Sequence, residues 1–170
     1  MNNLELINLD SGNKSWLTPP SLITALGQFT LDPCIPEEGM PWPTATRMVK
    51  PSENGLSFSW EGYRVWLNPP FGKIAIDFVK CFLSRRERRG IVLLPVRTDT
   101  TLFHELVLPH AHGFFFLRGR IRFFHSNGKA AKQSIGVSSM LVSFCEADNL
   151  ALQKLPENGI AGAFLKGCPQ

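Results

Sequence analysis

Arg64-Val65-Trp66-Leu67-Asn68-Pro69-Pro70-Phe71-Gly72 is the stretch on which the reading of this chain turns. Val65 to Leu67 is a short apolar run of strand character, and the apolar residues of 74–83 recur at helical spacing. A strand, a stiff polar turn and then a helix is where α/β proteins place their ligand sites, at the carboxyl edge of the sheet. Pro69 and Pro70 remove two backbone donors and fix φ, so the turn is rigid. The restriction that a proline places on its predecessor keeps Asn68 extended. The turn therefore offers a carboxamide oxygen, main-chain carbonyls and the ring of Phe71. Such a set suits a flat ring with an exocyclic amino group, giving acceptors for its hydrogens and a face to stack on. The competing account is a proline-stiffened turn without chemistry. The rest of the chain decides between them.

Upstream, residues 1–15 are polar and lack periodicity, which predicts an N-terminal tail and a single domain over 16–170. Thr18 is the expected N-cap of a helix with Pro19 at its first position, Leu22, Ile23 and Leu26 on its apolar face, and Gly27 at its end. Phe29-Thr30-Leu31-Asp32 alternates into a short strand that runs out at Asp32-Pro33-Cys34. Residues 35–61 are rich in Pro, Gly, Ser and Thr, with Trp42 and Trp60 as isolated anchors. A loop of that length predicts a lid or substrate wall, with a short strand near 56–60.

Downstream, Gly90 is the expected stop of the helix that begins at Ile74. The continuous apolar run 91–95 predicts a strand covered on both faces. A helix over 98–108 and a strand over 113–117 follow. The stretch 118–124 is extended and basic, Ser126-Asn127-Gly128-Lys129 reads as a turn, and 139–144 as a last strand. Beyond that the pattern is weak. Alternating strands and helices followed by consecutive extended segments predict an α/β fold, its sheet mostly parallel and closing with an antiparallel pair.

A chain of 170 residues with 44% hydrophobic content is expected to build one soluble core. No apolar run approaches a membrane span, and Met1-Asn2-Asn3-Leu4-Glu5 lacks the pattern of a signal peptide. Cys34, Cys81, Cys145 and Cys168 are scattered without metal or disulfide spacing, so a reducing cytoplasm is the expected setting. His104, His110 and His112 have no cysteine or carboxylate pair to complete a metal site, and none is expected. The net charge of +4 gathers in two places. Arg85, Arg86, Arg88 and Arg89 form one cluster, of which at least two read as a solvated helix end. Arg118, Arg120, Arg122, Lys129 and Lys132 point to a polyanionic partner.

Thr18-Pro19, Leu31-Asp32-Pro33-Cys34 and Leu67-Asn68-Pro69-Pro70-Phe71-Gly72 stand in the order found in phage-type (Dam-like) DNA N6-adenine methyltransferases, and Gly119-Arg120-Ile121-Arg122-Phe123 resembles a later block of that family. The likeness covers residues 16–144. It implies a reduced Rossmann-like, S-adenosylmethionine-dependent fold and methyl transfer to adenine N6 in DNA, in a bacterial host cell through a phage or prophage. By that likeness Asn68, Pro69, Pro70 and Phe71 receive a flipped adenine. Thr18, Pro19, Asp32, Pro33, Cys34 and Asn68 would meet the cofactor, with Asp32 on its methionine ammonium and Glu53 near its ribose. Arg118, Arg120, Arg122, Lys129 and Lys132 would grip DNA phosphates. A base inside a duplex cannot reach such a pocket, so it must be flipped.

The sequence departs from the wider methyltransferase pattern in having no Gly-x-Gly after Asp32, where backbone normally approaches the cofactor. That absence favours one alternative, a non-catalytic nucleic-acid-binding remnant; an enzyme acting on RNA adenine stays open, and one acting on a protein glutamine is opposed by the basic segments and the missing glycines. Pro33-Cys34 also matches the nucleophile pair of cytosine-C5 methyltransferases, but it lies at the wrong place in the chain. A small, buried Cys34 is the expected reading.

Overall fold

The structure, a computed structural model, describes residues 16–131 and 136–169. Its strands are β1 (Leu31–Asp32), β2 (Arg47–Met48), β3 (Val65–Leu67), β4 (Gly90–Pro95), β5 (Gly113–Leu117), β6 (Ser139–Ser143) and β7 (Gly162–Lys166). Its α-helices are α1 (Pro20–Leu26), α2 (Ile74–Leu83) and α3 (Glu146–Gln153), and Leu102–Val107 forms a π-helical turn.

Among the described residues these strands form one seven-stranded sheet in the order β2-β1-β3-β4-β6-β5-β7. Neighbours from β2 to β4 are parallel. β6 is inserted antiparallel between β4 and β5, and β7 lies antiparallel on the outer side of β5. The sheet is thus mixed, with β6 and β7 opposing the direction of the other strands. The single closing antiparallel pair read from the sequence becomes three, because β6 inserts between β4 and β5 and the weakly patterned C-terminal region supplies β7.

Strand alternation divides the core into two layers. Val65, Leu67, Val92, Leu94, Phe114 and Val142 pack with Phe78, Val79 and Phe82 of α2 and with Val107. On the other face Trp66, Ile91, Leu93, Phe115 and Leu141 pack with Leu22, Ile23 and Leu26 of α1 and Leu152 of α3. Helices on both faces explain why 91–95 is apolar throughout rather than alternating.

Some local expectations change. Pro19, not Thr18, is the N-cap of α1, and no side chain caps that end. The strand near 56–60 is a series of turns, and Trp60 there is buried with its indole N–H donating to the Gly55 carbonyl at 2.7 Å. Gly90 does not stop α2, which ends at Leu83; it opens β4 at φ +137°, where an added Cβ would stand 2.2 Å from the Val65 carbonyl oxygen. The helix over 98–108 is compressed into the π-helical turn.

The amino edge of the sheet is closed by an ion pair between buried Asp148 and partly buried Arg64. Asp148 of α3 accepts from Arg64 Nε at 2.7 Å and from the Gly90 amide at 2.7 Å. Arg64 also donates to the carbonyls of Gln28 and Leu26 and lies over the Phe29 ring. The arginine cluster belongs to this edge: Arg85 is buried and bonded to the carbonyls of Arg89 and Tyr63, and Arg88 donates to the Leu83 carbonyl. At the opposite, carboxyl edge, β1 has β2 on one side and β3 on the other, so the strand order reverses between β1 and β3. Such a switch point opens a crevice for a ligand.

Candidate functional site

The crevice holds a cavity of about 330 Å³, within the usual size range of small-molecule pockets. Thr18, Asp32, Pro33, Cys34, Asn68, Pro69, Pro70 and Phe71 all line it. Pro19 does not; it stays at the head of α1, accepting from the amides of Leu22 and Ile23. Residues of the long loop 35–61 form much of the wall, including Met40, Thr44, Gly55 and Leu56. Glu53 lies outside, exposed, with its carboxylate accepting from the Lys50 amide at 2.9 Å.

Asp32 sits at the carboxyl end of β1 with 4% exposure and forms no ion pair among the described residues. Thr44 Oγ1 donates to one carboxylate oxygen at 2.5 Å and the Cys34 amide to the other at 3.2 Å. Burial nevertheless dominates and pushes its pKa up to about 6, the two hydrogen bonds opposing the shift. A carboxylate held this way is an acceptor in want of a cation. Thr44 was not singled out in the sequence, since it sits in an aperiodic loop twelve residues from its partner.

Asn68 follows β3 and is half-buried. Its Nδ2 donates to the Trp16 carbonyl at 3.2 Å and to Thr18 Oγ1 at 3.4 Å. Its main-chain carbonyl accepts from Cys34 Sγ at 3.2 Å. No donor reaches Asn68 Oδ1 among the described residues, so that oxygen remains available on the cavity wall. Cys34 is half-buried rather than buried, and its thiol is pushed well above the ordinary range, first by burial and then by the Asp32 charge. In the structure it serves as a hydrogen-bond donor to the turn. Pro69 is buried, while Pro70 and Phe71 are exposed, with the Phe71 ring 46% accessible.

Close backbone approach does occur in the wall, at Gly55. A Cβ on Gly55 would stand 2.0 Å from the Pro33 carbonyl oxygen, so the loop passes against the backbone after β1 at a distance that only glycine permits. Nothing in the spacing of the sequence marks Gly55 as that position.

Residues 121–131 double back as a hairpin beside the cavity. Leu17 and Phe124 exchange main-chain hydrogen bonds of 2.9 Å, Ala131 N donates to the Phe123 carbonyl, and Gly128 turns the tip at φ +76°. Ile121 and Phe123 point into the core, Phe123 reaching the cavity, while Arg120 and Arg122 are exposed on the opposite face. Arg118 and Lys129 are exposed as well, and Arg122 Nε donates to the Ala131 carbonyl at 3.1 Å. Lys132 lies outside the described residues. A second cavity of about 530 Å³ borders Gly72 on the far side of the turn, with Arg97 and Asp99 among its lining.

No group of three or more His, Cys, Asp or Glu side chains among the described residues is placed to hold a metal ion, and no helix among them is long and apolar enough to cross a membrane. Neither the curated proteins nor the solved structures contain a match to the chain. The model of one protein family, described as DNA N-6-adenine-methyltransferase (Dam), does match, over residues 8–153, and takes in β1, the Asn68 turn and the basic hairpin. The chain belongs to that family and is a DNA N6-adenine methyltransferase.

Proposed function

We propose that the chain transfers a methyl group from S-adenosylmethionine to adenine N6 at a defined site in DNA, using a Rossmann-like unit over residues 16–170. The observation that carries this is Asn68: both amide hydrogens are engaged by the protein while its oxygen is left over on the wall of a cavity that also holds Asp32. The fit of the cofactor rests on Asp32, a buried carboxylate without a cation, in a cavity otherwise lined mainly by apolar side chains. A methionine ammonium is the partner this carboxylate lacks. When bound, the cofactor supplies an activated methyl on a sulfonium centre.

The chain's own residues do the rest. Asp32 holds the cationic end of the cofactor, with Thr44 and the Cys34 amide orienting the carboxylate. Thr18, Pro33 and Cys34 close the same cavity, and Pro19 fixes the entry of the chain into α1. Asn68 Oδ1 and the Pro69 carbonyl accept the two amino hydrogens of a flipped adenine, and exposed Phe71 stacks on its face. These acceptors concentrate electron density on the nitrogen and aim its lone pair. Positioning and charge placement carry the rate, because the weakly basic amine needs no strong general base before attack. Arg118, Arg120, Arg122 and Lys129 grip phosphates beside the opening, and Lys132 is assigned to the same role from the sequence.

The test is methyl transfer from labelled S-adenosylmethionine to unmethylated DNA, with nucleoside analysis of the product and calorimetry of cofactor binding. Label in N6-methyladenine at a recurring sequence is the expected result. Label spread over adenines without sequence preference removes the site-specific part, and absence of cofactor binding overturns the reading.

A further inference from the structure

Asn68 can serve as an acceptor toward an amino group only if its carboxamide faces one way. Turned by half a revolution, the same side chain presents two N–H donors to a substrate that itself offers two. Backbone geometry does not decide between these states. The decision lies with what meets the other end of the amide.

That end meets residues 16–18. The Trp16 carbonyl, 3.2 Å from Nδ2, can only accept a hydrogen bond, so an amide oxygen placed there would face another oxygen. Thr18 Oγ1 stands 3.4 Å from the same nitrogen and receives the second hydrogen. Thr18 is 2% exposed and Leu17 is equally buried. The segment is itself fixed from both sides: Leu17 pairs with Phe124 of the basic hairpin, and the Trp42 indole N–H donates to the Thr18 carbonyl at 3.2 Å.

We propose that Thr18 is a positioning residue for methyl transfer, its hydroxyl acting with the Trp16 carbonyl to lock the Asn68 carboxamide with Oδ1 toward the target amine. This rests on the reading of Asn68 as the acceptor for that amine. Thr18 caps no helix and lines the cofactor cavity, yet its hydroxyl is turned to Asn68. The hairpin that carries Arg122, with Arg120 just before it, holds the locking segment in place, so the groups that grip DNA and the group that receives the base share one frame.

The experiment compares Thr18→Val, Thr18→Ala and Thr18→Ser with the parent protein. Three quantities are measured for each: the dissociation constant for S-adenosylmethionine, that for a DNA duplex the parent methylates, and the single-turnover rate with both saturating. Thr18→Val and Thr18→Ala are expected to lose about tenfold in single-turnover rate while both dissociation constants stay within about twofold. Thr18→Ser, which keeps the hydroxyl, is expected to recover most of the rate. The proposal is overturned if the hydroxyl-free variants keep the parental rate, or if their loss falls on cofactor affinity with the saturated rate intact. Asn68→Ala in the same assay separates the two readings: full activity there removes the acceptor role itself, whatever Thr18 does.

Discussion

At the scale of single residues, the site is governed by two polar groups whose surroundings dictate their chemistry. Asp32 is the clearer case. Its folded pKa of about 6 stands above the ordinary 3.8, so between those values the folded protein binds more protons than the unfolded chain. Stability is therefore greatest at the acid end of this window and falls as pH rises through it, reaching a plateau above about 6. The displacement corresponds to a cost on the order of 3 kcal/mol for the ionised form. We predict that Asp32→Asn raises the melting temperature of the free protein at neutral pH and flattens the pH dependence between about 4 and 6. Unchanged melting curves would contradict the burial argument. A bound cation relieves the same cost, so cofactor affinity is predicted to climb through pH 6 in the parent and to lose that climb in Asp32→Asn; calorimetry across the range checks it. For Asn68 the prediction concerns rate alone: Asn68→Ala should abolish methylation and leave cofactor affinity within about threefold. A fully active variant would sink the acceptor mechanism.

At the scale of elements, what could be read beforehand depended on whether a segment's pattern came from its own burial or from partners far along the chain. The strands over 91–95 and 113–117 and the helix from Ile74 to Leu83 were legible because covered strands and amphipathic helices imprint their periodicity locally. The Asn68 turn was legible as a stiff turn after a strand because two prolines fix the chain there, and the structure sets it on the cavity wall. β2, two residues long, was not, nor was β7, whose residues are mostly exposed along an edge. The engagement of Thr18 with Asn68 was hidden for another reason: Thr-Pro before an apolar run is the usual sign of a helix cap, and the contact that replaces it spans fifty residues. The wall made by 35–61 was anticipated as a wall, but its fit depends on Gly55. We predict that Gly55→Ala, which sets a methyl against the Pro33 carbonyl, weakens cofactor binding tenfold or more while the central strands stay folded. Retained affinity would show that the loop is free to withdraw. The hairpin makes a separate prediction. Replacing Arg120 and Arg122 by Ala should weaken DNA binding on all sequences alike and reduce the slope of log affinity against log salt by about two; a change confined to one sequence would assign them to base readout instead.

At the scale of the whole molecule, the two edges of the sheet are built for different ends. The carboxyl edge opens into a mainly apolar cavity with a few polar groups such as Asp32 and Asn68, while the amino edge is sealed by Arg64 and Asp148. Removing one member of a buried pair leaves the other charge stranded, at a cost on the order of 3–5 kcal/mol. We predict a loss of that size for Asp148→Ala in urea denaturation, with cofactor affinity unchanged once the protein is folded. A loss under 1 kcal/mol would mean that water reaches Arg64 readily. The position of β6 has a consequence of another kind. It lies inside the sheet, between β4 and β5, although it is made after both. During synthesis β4 therefore waits for residues 139–143 with one flank unpaired, and β5 has no partner at all until β6 and then β7 arrive. Exposure of these flanks is thus expected to peak during synthesis, in the interval before β6 closes the gap.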